Sequence, residues 1–380
     1  MKVNKIRLIN FRNFLTLSTD FTSSINIFIG ANAQGKTNII ESIYTLLRGS
    51  SYRTSDEYSL INWNENSTYI LGAVQGKEEK FQVNIQIRAT EQTDFNKNKI
   101  KKIIKVNKKY KKKSWLIKKF CPVIFTPEDL QIVKSSPSLR RKFLNEIIIN
   151  LNPLYYQYLT TYNRILFQRN KLLKEGKNDS KIKSQLLFWD QKLIETGSNI
   201  ILLRINYLQR INQKIKTIHP IITNSEEIVK LKYQSNILKQ YTNEKDEIIR
   251  LFEQKLNQAR EEDLKFRVTT IGPHRDDFLI MNESVNLGIY GSQGQQRTVI
   301  LSLKLVEIEL YKENENNFPP LLLDDVMSEL DEERETLLLQ LIKEKKMQTF
   351  ITSINLLDLN RKYLDHADIF KVEKGLIQKI

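Results

Sequence analysis

The chain has 380 residues, with 60 lysines and arginines against 44 aspartates and glutamates and a formal net charge of +16. That length allows two or three domains, or one large split domain with a substantial core. The charge favours a polyanionic partner, nucleic acid first. Base-composition drift is the competing explanation, because Lys, Asn and Ile are all abundant and share AT-rich codons.

Cysteine usage and hydropathy exclude several further classes of protein. Cys121 is the one cysteine, which excludes a disulfide framework and a cysteine metal site and fits a reducing compartment. No apolar run approaches the roughly 18 residues of a membrane span, and the N-terminal stretch "MKVNKIRLINFRNF" has no apolar signal core. We therefore expect a soluble, cytoplasmic protein.

The first predicted elements are strands around a glycine-rich turn. Alternation at 3–9 predicts one strand, and the apolar run "SINIFIG" at 24–30 predicts a second, buried one. A helix is expected from about Lys36 to Leu47, and residues 58–106 predict several strands separated by polar turns. This part of the chain therefore mixes strands with one early helix.

From Pro137 the spacing of apolar residues becomes helical and stays so to about residue 265. Strand-like sequence returns at 266–280. The last part then alternates a helix after Gln293, a strand at "PLLLDD", a helix after Asp331 and a strand at "MQTFITSI". That alternation is typical of an α/β sheet.

The fold class that follows is α/β, with one head assembled from both ends of the chain and interrupted by a mainly helical arm. The expected divisions are 1–130 for the N-terminal part of the head, 131–265 for the arm and 266–380 for the C-terminal part of the head.

The stretch "GANAQGKT" fits the eight-position phosphate-loop pattern, with a buried strand before it and a helix after it. Backbone N–H groups and the positive end of the helix would hold the phosphates of ATP. Lys36 would reach the β- and γ-phosphates, and the Thr37 hydroxyl would sit on Mg²⁺. A glycine-rich turn arising by chance is the alternative. The predicted nucleotide-binding residues are Gly30, Ala31, Asn32, Ala33, Gln34, Gly35, Lys36 and Thr37.

Two aspartates end the apolar strand in "PLLLDDVMSELD". Asp324 would place a carboxylate beside the metal, and Asp325 could orient the attacking water, so both are predicted to be catalytic together with Lys36. Alone, such a pair is more often a solvated turn. The phosphate loop nearly 300 residues earlier favours the catalytic interpretation, and it requires the head to be built from both chain ends.

The polar stretch "YGSQGQQRTV" at 290–299 is either a solvated loop or a set of donors that holds a ligand. Its position, just before a helix and upstream of the two aspartates, favours binding.

In this order, the phosphate loop, "GSQGQQRT", "LLLDDVMSELD" and "QTFITSIN" resemble the ABC-type P-loop heads of the SMC class of chromosome and repair ATPases. Within that class the full chain resembles the RecF family of bacterial repair proteins. Supporting stretches are "LINFRNF", "YRTSD", "FTPEDLQIVKSSPSLRRKFLN" and "GPHRDDF". An arm of about 130 residues without a Cys-x-x-Cys hook excludes a long coiled-coil SMC protein.

The resemblance implies roles for particular residues. Ser292, Gly294 and Gln295 match the signature motif, whose donors contact the γ-phosphate of ATP held by a second subunit. Asp331 falls in the loop that meets the partner head. Arg12 and Phe14 fall where the class contacts the nucleotide base or sugar.

The resemblance also implies an activity. Such proteins dimerise with ATP, bind duplex DNA and single-strand gap junctions, and hydrolyse ATP slowly with stimulation by DNA. They act with RecO and RecR to load the RecA recombinase, in recombinational repair and in replication-fork maintenance.

Three positions depart from the pattern of related ATPases. Ala33 replaces a frequent glycine. Asp325 replaces the glutamate usual in ABC transporters, which fits slow turnover. No histidine occurs in "FITSINLLDL", so Thr352 or Ser353 becomes the candidate γ-phosphate sensor.

Other charged features keep two interpretations. The Lys-rich run 97–119 would either follow a phosphate backbone or form a solvated strand pair. Arg140 and Arg141 belong to a family-like stretch and would equally brace the arm. The stretch His274 to Asp276 is expected to be an ion-paired structural junction rather than a catalytic one.

Two alternative functions remain open at this stage. One is a transport-type ATPase subunit docked to a membrane permease. The other is an interaction scaffold that binds nucleotide without needing turnover.

Overall fold

The computed structural model describes residues 1–90, 100–175, 180–223, 227–355 and 367–380, without the side chains of 180–183. It divides into two compact units. The first combines Met1–Asp129 with Glu307–Ile380, and the second is Leu130–Val306. Strands and helices alternate within a predominantly parallel sheet in the first unit, which confirms the α/β fold class.

The strands of the described residues are β1 (Lys2–Phe11), β2 (Phe14–Asp20), β3 (Ile25–Ile29), β4 (Ser67–Gln75), β5 (Lys80–Ala89), β6 (Ile100–Val106), β7 (Lys109–Tyr110), β8 (Val123–Phe125), β9 (Val229–Gln234), β10 (Asp277–Asn282), β11 (Val285–Asn286), β12 (Leu321–Leu323), β13 (Thr349–Ser353), β14 (Asp368–Glu373) and β15 (Leu376–Lys379).

The helices are α1 (Lys36–Arg48), α2 (Lys113–Lys119), α3 (Pro127–Leu130), α4 (Pro137–Leu151), α5 (Pro153–Glu175), α6 (Ser180–Thr223), α7 (Lys245–Gln258), α8 (Arg260–Phe266), α9 (Leu287–Tyr290), α10 (Gln293–Glu315) and α11 (Glu332–Glu344). Among the helices described, none is both long enough and apolar enough to cross a membrane.

The described residues of the first unit form two six-stranded sheets. One is antiparallel, in the order β2-β1-β4-β5-β6-β7. The other has the order β15-β14-β3-β13-β12-β8 and is parallel except for β15. Helix α1 contacts strands of both sheets, and its apolar residues Ile39, Ile43 and Leu46 are fully buried. The helix therefore forms part of the core rather than an amphipathic surface layer.

The parallel sheet positions the candidate site. Strand β3 reads "INIFI" and β12 reads "LLL", apolar runs that suit strands covered on both faces. Strand β13 lies between β3 and β12, so the carboxyl ends of all three point to the same edge. In open α/β sheets, ligands bind at that edge.

The second unit is mainly helical, with a small sheet in the order β11-β10-β9. It extends to Val306 rather than ending near residue 265. The physical reason is the pairing of β10 with β9, from Asp277 opposite Gln234 to Asn282 opposite Val229, which ties the later segment to the arm. The second division falls inside α10.

The strand predicted at 266–280 begins only at Asp277. Before it, Arg267 ends α8 in a left-handed conformation at φ 56°. The Asp263 carboxylate accepts bonds from the N–H and hydroxyl of Thr270, at 2.8 and 2.6 Å. These local side-chain bonds replace strand pairing, so apolar alternation alone misled the prediction.

Candidate functional site

The phosphate-loop residues form a tight turn between β3 and α1, as their pattern predicts. Gly35 has φ 113°, and a Cβ there would lie 2.6 Å from Asn13 Nδ2 and 2.9 Å from Phe14 Cζ. A Cβ at Gly30 would meet the Val372 carbonyl oxygen at 2.3 Å. Both positions therefore require glycine.

Ala33, Ala31 and Asn32 form the exposed part of the loop. Ala33 has φ 64°, the left-handed region that a glycine would occupy without strain. Its methyl group therefore has space, but this backbone conformation is unfavourable for a residue that has a Cβ. Gln34 anchors the loop, because its Oε1 accepts from Lys374 N at 2.7 Å and its carbonyl accepts from Asn13 Nδ2 at 3.0 Å.

The Lys36 ammonium is held inside this loop. Its Nζ donates to the carbonyl of Gly30 at 2.7 Å and to that of Ala31 at 3.0 Å, and the residue is 4 % exposed. Within the described residues both acceptors of this buried cation are carbonyls, and it can exchange them for anionic phosphate oxygens, which bind it more strongly.

The predicted metal ligands lie together. Thr37 Oγ1 donates to Asp324 Oδ1 at 2.9 Å across 287 residues of sequence. The same carboxylate accepts from Tyr52 OH at 2.6 Å, on Oδ2, and from Thr352 Oγ1 at 3.2 Å. Asp324, directly after β12, is therefore surrounded by three hydroxyl donors.

Burial and hydrogen bonds shift the pKa values of Asp324 and Tyr52. Asp324 is 5 % exposed, and burial raises the pKa of its carboxyl, with the neighbouring charge of Asp325 acting in the same direction. Hydrogen bonds from Tyr52, Thr37 and Thr352 lower that pKa and so favour the carboxylate. The Tyr52 phenol has a pKa raised by burial and by Asp324, and it acts as a donor.

Asp325 directly follows in a left-handed conformation, with φ 52°. Its N–H donates to Thr352 Oγ1 at 2.7 Å, so Thr352 links the two aspartates. Ser353, the other candidate sensor, instead donates to the Asn355 carbonyl at 2.9 Å. Of the two candidates, Thr352 is thus the one that contacts the aspartates.

Arg12 and Phe14, expected near a nucleotide base or sugar, have other partners. Arg12 donates to both Glu41 carboxylate oxygens at 3.0 and 2.8 Å and to the Ser59 carbonyl at 2.7 Å. Phe14 is fully buried below Gly35, so its ring has no face open to a base. We therefore correct the assignment of Phe14 to a support for the loop, and Arg12 remains a prediction.

The signature-like residues lie in the second unit, at the start of α10. Ser292 and Gln295 cap the helix reciprocally: Ser292 N donates to Gln295 Oε1 at 3.1 Å, and Gln295 N donates to Ser292 Oγ at 3.2 Å. Ser292 and Gly294 are exposed, and a Cβ on Gly294 would meet only Ser292 Oγ, at 3.9 Å. The stretch is an exposed, capped helix start, not an irregular solvated loop.

Asp331 begins α11. Its Oδ1 accepts from Arg334 N at 3.0 Å, and its other oxygen is bonded to the Arg334 guanidinium. Asp331 remains half-exposed, and its contact with a partner head stays a prediction.

The junction around residue 274 is a dense polar network within the second unit. Arg140 forms a two-pronged ion pair with Asp277, at 2.8 and 2.6 Å, and Arg141 donates to the Asp276 carbonyl at 2.8 Å. His274 bonds the Tyr162 hydroxyl at 2.8 Å through Nδ1. Both arginines therefore tie α4 to the start of β10.

The lysines of the run 97–119 have different kinds of partner. Residues 97–99 of this run lie outside the described residues. Lys102 is bonded to Glu57 and to the Gly49 carbonyl, which makes it structural. Lys105 lies 4.8 Å from the centre of the exposed Tyr110 ring, and Lys111 lies 5.4 Å from the centre of the partly buried Trp115 ring. DNA binding by this surface stays a prediction.

The chemistry of the donor set fits Mg²⁺ bound beside ATP. The Thr37 hydroxyl and the Asp324 carboxylate are hard oxygen donors. Over the described residues, no group of three or more His, Cys, Asp or Glu side chains could hold a metal. Mg²⁺ commonly uses one or two protein ligands with substrate phosphates, so this small donor set suits it.

Sequence reasoning missed Tyr52 and Glu41. Tyr52 lies in the family-like "YRTSD", but only the fold brings its hydroxyl to Asp324. Glu41 is fully buried, with bonds from Arg12, Arg53 at 3.3 Å and the Ser51 hydroxyl. A charged residue in an otherwise buried helix was the available signal.

Comparisons with known proteins agree along the whole chain. The sequence model of the family described as "RecF/RecN/SMC N terminal domain" matches residues 2–378. The DNA replication and repair protein RecF of Clostridium tetani is 41 % identical over 376 residues, which cover 99 % of each chain.

Two solved structures are similar throughout. The recombination mediator protein RecF with ATPrS, in the RecFOR pathway, superposes with a TM-score of 0.88 at 34 % identity, covering 100 % of this chain and 98 % of that one. The same mediator with ATP gives a TM-score of 0.87 at 33 % identity, covering 100 % and 97 %.

Proposed function

Since the chain belongs to the RecF family of SMC-type ATPases, we propose that it is an ATP-dependent DNA-binding protein of recombinational repair and replication-fork maintenance. Its ATP-bound dimer clamps DNA near single-strand gaps and helps to load recombinase. Slow, DNA-stimulated hydrolysis of ATP to ADP and phosphate then resets the dimer.

The observation that carries this proposal is the bond between Thr37 and Asp324, contributed by opposite ends of the chain. It joins the start of the phosphate-loop helix to the end of β12, the two parts that a P-loop ATPase needs side by side. The related mediator structures with ATP and ATPrS support ATP as the nucleotide.

Each residue of this edge has a task in the proposal. Loop N–H groups and the α1 N-terminus bind the phosphates, and Lys36 exchanges its two carbonyl acceptors for phosphate oxygens. Thr37 and Asp324 hold Mg²⁺, which when bound neutralises charge on the β- and γ-phosphates. Asp325 orients the attacking water and accepts its proton on the carboxylate.

The signature-like helix start of one subunit contacts ATP held by the other. Ser292 and Gly294 are exposed, and the N-terminal end of α10 favours an anion. Closure of two such contacts around two ATP molecules would produce the dimer that encircles DNA.

Partners follow from the same relatives. A mediator of the RecFOR pathway is expected to act with RecR and RecO, and RecA is then affected indirectly. The net charge of +16 supports binding to DNA, with a strong dependence on salt.

Light scattering with a short gapped duplex tests the proposal. ATP, but not ADP, is expected to double the protein mass bound per DNA, and Lys36→Arg is expected to abolish that change. Lys77→Arg, an exposed lysine in the same unit, serves as the matched control. Normal ATP-dependent assembly of Lys36→Arg on DNA would falsify the clamp.

A further inference from the structure

A cavity of about 400 Å³ lies within the second unit, lined entirely by residues of that unit. Helices α4, α5 and α6 form its walls, together with the Pro273–His274 turn before β10. Pockets for small ligands commonly measure about 300–1,000 Å³, so this cavity has room for more than a single small ion.

The lining of the cavity is positively charged. Among the described residues that line it, Arg141, Lys142 and Arg204 supply three cations, and Glu146 is the one carboxylate. His274 also lines it, but burial lowers the pKa of that imidazole to about 4, which leaves it uncharged at neutral pH. The remaining excess of positive charge favours an anion.

Arg204 contributes a buried guanidinium whose direct acceptors are all neutral. It is 2 % exposed and donates to Tyr155 OH at 2.9 Å, to the Pro273 carbonyl at 2.6 Å and to Asn145 Oδ1 at 3.1 Å. Taking such a cation out of water is costly without a directly bonded anion. Burial lowers the pKa of this guanidinium, but Tyr155, Tyr233 and the Asp276 carboxylate raise it, so part of that cost is already offset. An anion in the cavity would reduce it further.

Arg141, in the first half of α4, is a second cation of the lining and is partly buried. Its one hydrogen bond in the described chain goes to the Asp276 carbonyl, at 2.8 Å. Burial and then the neighbouring Arg204 lower the pKa of its guanidinium, although Asp277 and Asp276 act in the opposite direction. The charge of Arg141 is therefore not fully compensated by its surroundings.

The nearby carboxylates are bonded elsewhere. Asp277 receives both prongs of Arg140, and Asp276 accepts from Tyr233 OH and from Asn236 N, the latter at 3.3 Å. Within the described residues, neither carboxylate is hydrogen-bonded to a cation that lines the cavity. Asp276 nevertheless acts on the charge of Arg204 through space, so Arg141 and Lys142 are the cations most available to a ligand.

Neutral groups of the lining supply a further hydrogen-bond donor and an apolar surface. Asn145 Oδ1 accepts from both Tyr155 and Arg204, which directs its amide nitrogen to the remaining side as a donor. Tyr156 and Leu159 line the cavity from α5 and supply an aromatic and apolar surface. Aromatic rings of this kind stack nucleobases.

We propose that this cavity binds a nucleoside phosphate, with the phosphoryl group on Arg141 and Lys142 and the base against Tyr156. A planar guanidinium beside an ammonium matches a tetrahedral phosphoryl group, and the apolar wall matches a base. The ligand is either a free nucleotide or the 5′-terminal nucleotide of a DNA strand. This site is independent of the phosphate loop and of the proposed clamp.

The test is fluorescence anisotropy of a short, 3′-labelled thymidine oligonucleotide carrying a 5′-phosphate. The full chain with Lys36→Ala is used in EDTA, so that neither the phosphate loop nor ATP-driven assembly contributes. Lys142→Gln and Arg141→Gln are each expected to weaken binding at least about fivefold, because each removes a charged hydrogen-bond donor. Lys142 is exposed, so Lys142→Gln is expected to fold normally. This variant tests the proposal even if Arg141→Gln fails to fold.

Arg164→Gln is the matched control, since Arg164 is exposed on α5 and does not line the cavity. Equal weakening by Arg164→Gln would show general charge attraction and overturn the proposal. Equal binding of the oligonucleotide without its phosphate would overturn it as well, and so would displacement by orthophosphate at the concentrations at which thymidine monophosphate displaces the oligonucleotide. Displacement by thymidine monophosphate supports a free nucleotide, and its failure while the phosphorylated oligonucleotide binds supports a strand end.

Discussion

The phosphate-loop edge and the start of α10 are both expected to contact ATP, but they are built in opposite ways. At the first, Lys36 and Asp324 are nearly fully buried, and the Asp324 carboxylate is bonded to Thr37 across 287 residues of sequence. At the second, Ser292 and Gly294 are exposed, and the capping bonds span three residues. The first is completed inside its own unit, whereas the second presents its donors outward, as a contact to another subunit requires.

The largest expected effect concerns turnover at the buried edge. Asp325→Asn is expected to reduce ATP hydrolysis by about 10²–10⁴-fold, because it removes the carboxylate that accepts the proton of the attacking water. Asparagine tolerates the left-handed conformation of Asp325, so folding and ATP binding are expected to stay intact.

Single-turnover ATP hydrolysis and the lifetime of the DNA-bound dimer measure this effect. A long-lived, ATP-locked dimer is the expected result, and Asp20→Asn on the exposed end of β2 is the control. Normal turnover in Asp325→Asn would remove the proposed base and favour an interaction scaffold that merely binds nucleotide.

The two units are also expected to respond differently to acid. Of the three histidines, His219 and His274 lie in the second unit, and His366 lies outside the described residues. Burial lowers the pKa of His274 to about 4, so the unfolded chain takes up its proton first as pH falls. The stabilisation is complete above about pH 6.5 and is lost as pH falls towards 4.

Allowing for partial exposure, His274 is expected to account for a loss of about 2 kcal/mol of unfolding free energy over that range. Hydrogen exchange followed by mass spectrometry, at several pH values, resolves the two units. Faster exchange is expected in Leu130–Val306, and His274→Gln is expected to flatten the pH dependence. Equal acid sensitivity of both units would contradict the assignment.

Gly35 in the phosphate loop and Gly294 at the start of α10 are expected to respond in opposite ways to substitution by alanine. Gly35→Ala is expected to destabilise the protein by about 1–3 kcal/mol, since its φ of 113° and its contacts with Asn13 and Phe14 exclude a Cβ. Gly294→Ala is expected to stabilise it by about 0.5–1 kcal/mol, because the position is helical and open.

Thermal unfolding of the two variants beside the parent protein measures both shifts. ATP binding should fall with Gly35→Ala and persist with Gly294→Ala. Destabilisation by both substitutions to the same extent would mean that the α10 start is as tightly enclosed as the phosphate loop.

The sequence predicted those parts of the site that are marked by a pattern of neighbouring residues. The glycine pattern before Lys36 and the apolar runs of β3 and β12 correctly placed the loop, α1 and the two aspartates. Tyr52 was missed because its role depends on a bond across 272 residues. The second unit extends beyond the predicted arm for a similar reason, since "VKLKYQ" in β9 alternates like a strand but does not show that its partner is β10.

The most direct test of the central claim is the behaviour of Ser292→Arg, assayed for ATP affinity and for oligomeric state by light scattering. If Ser292 acts on the nucleotide of a second subunit, the variant binds ATP with parental affinity through its own phosphate loop but remains monomeric. Dimerisation at the parental ATP concentration, or loss of ATP binding by the monomer, would contradict the division of the two elements between subunits.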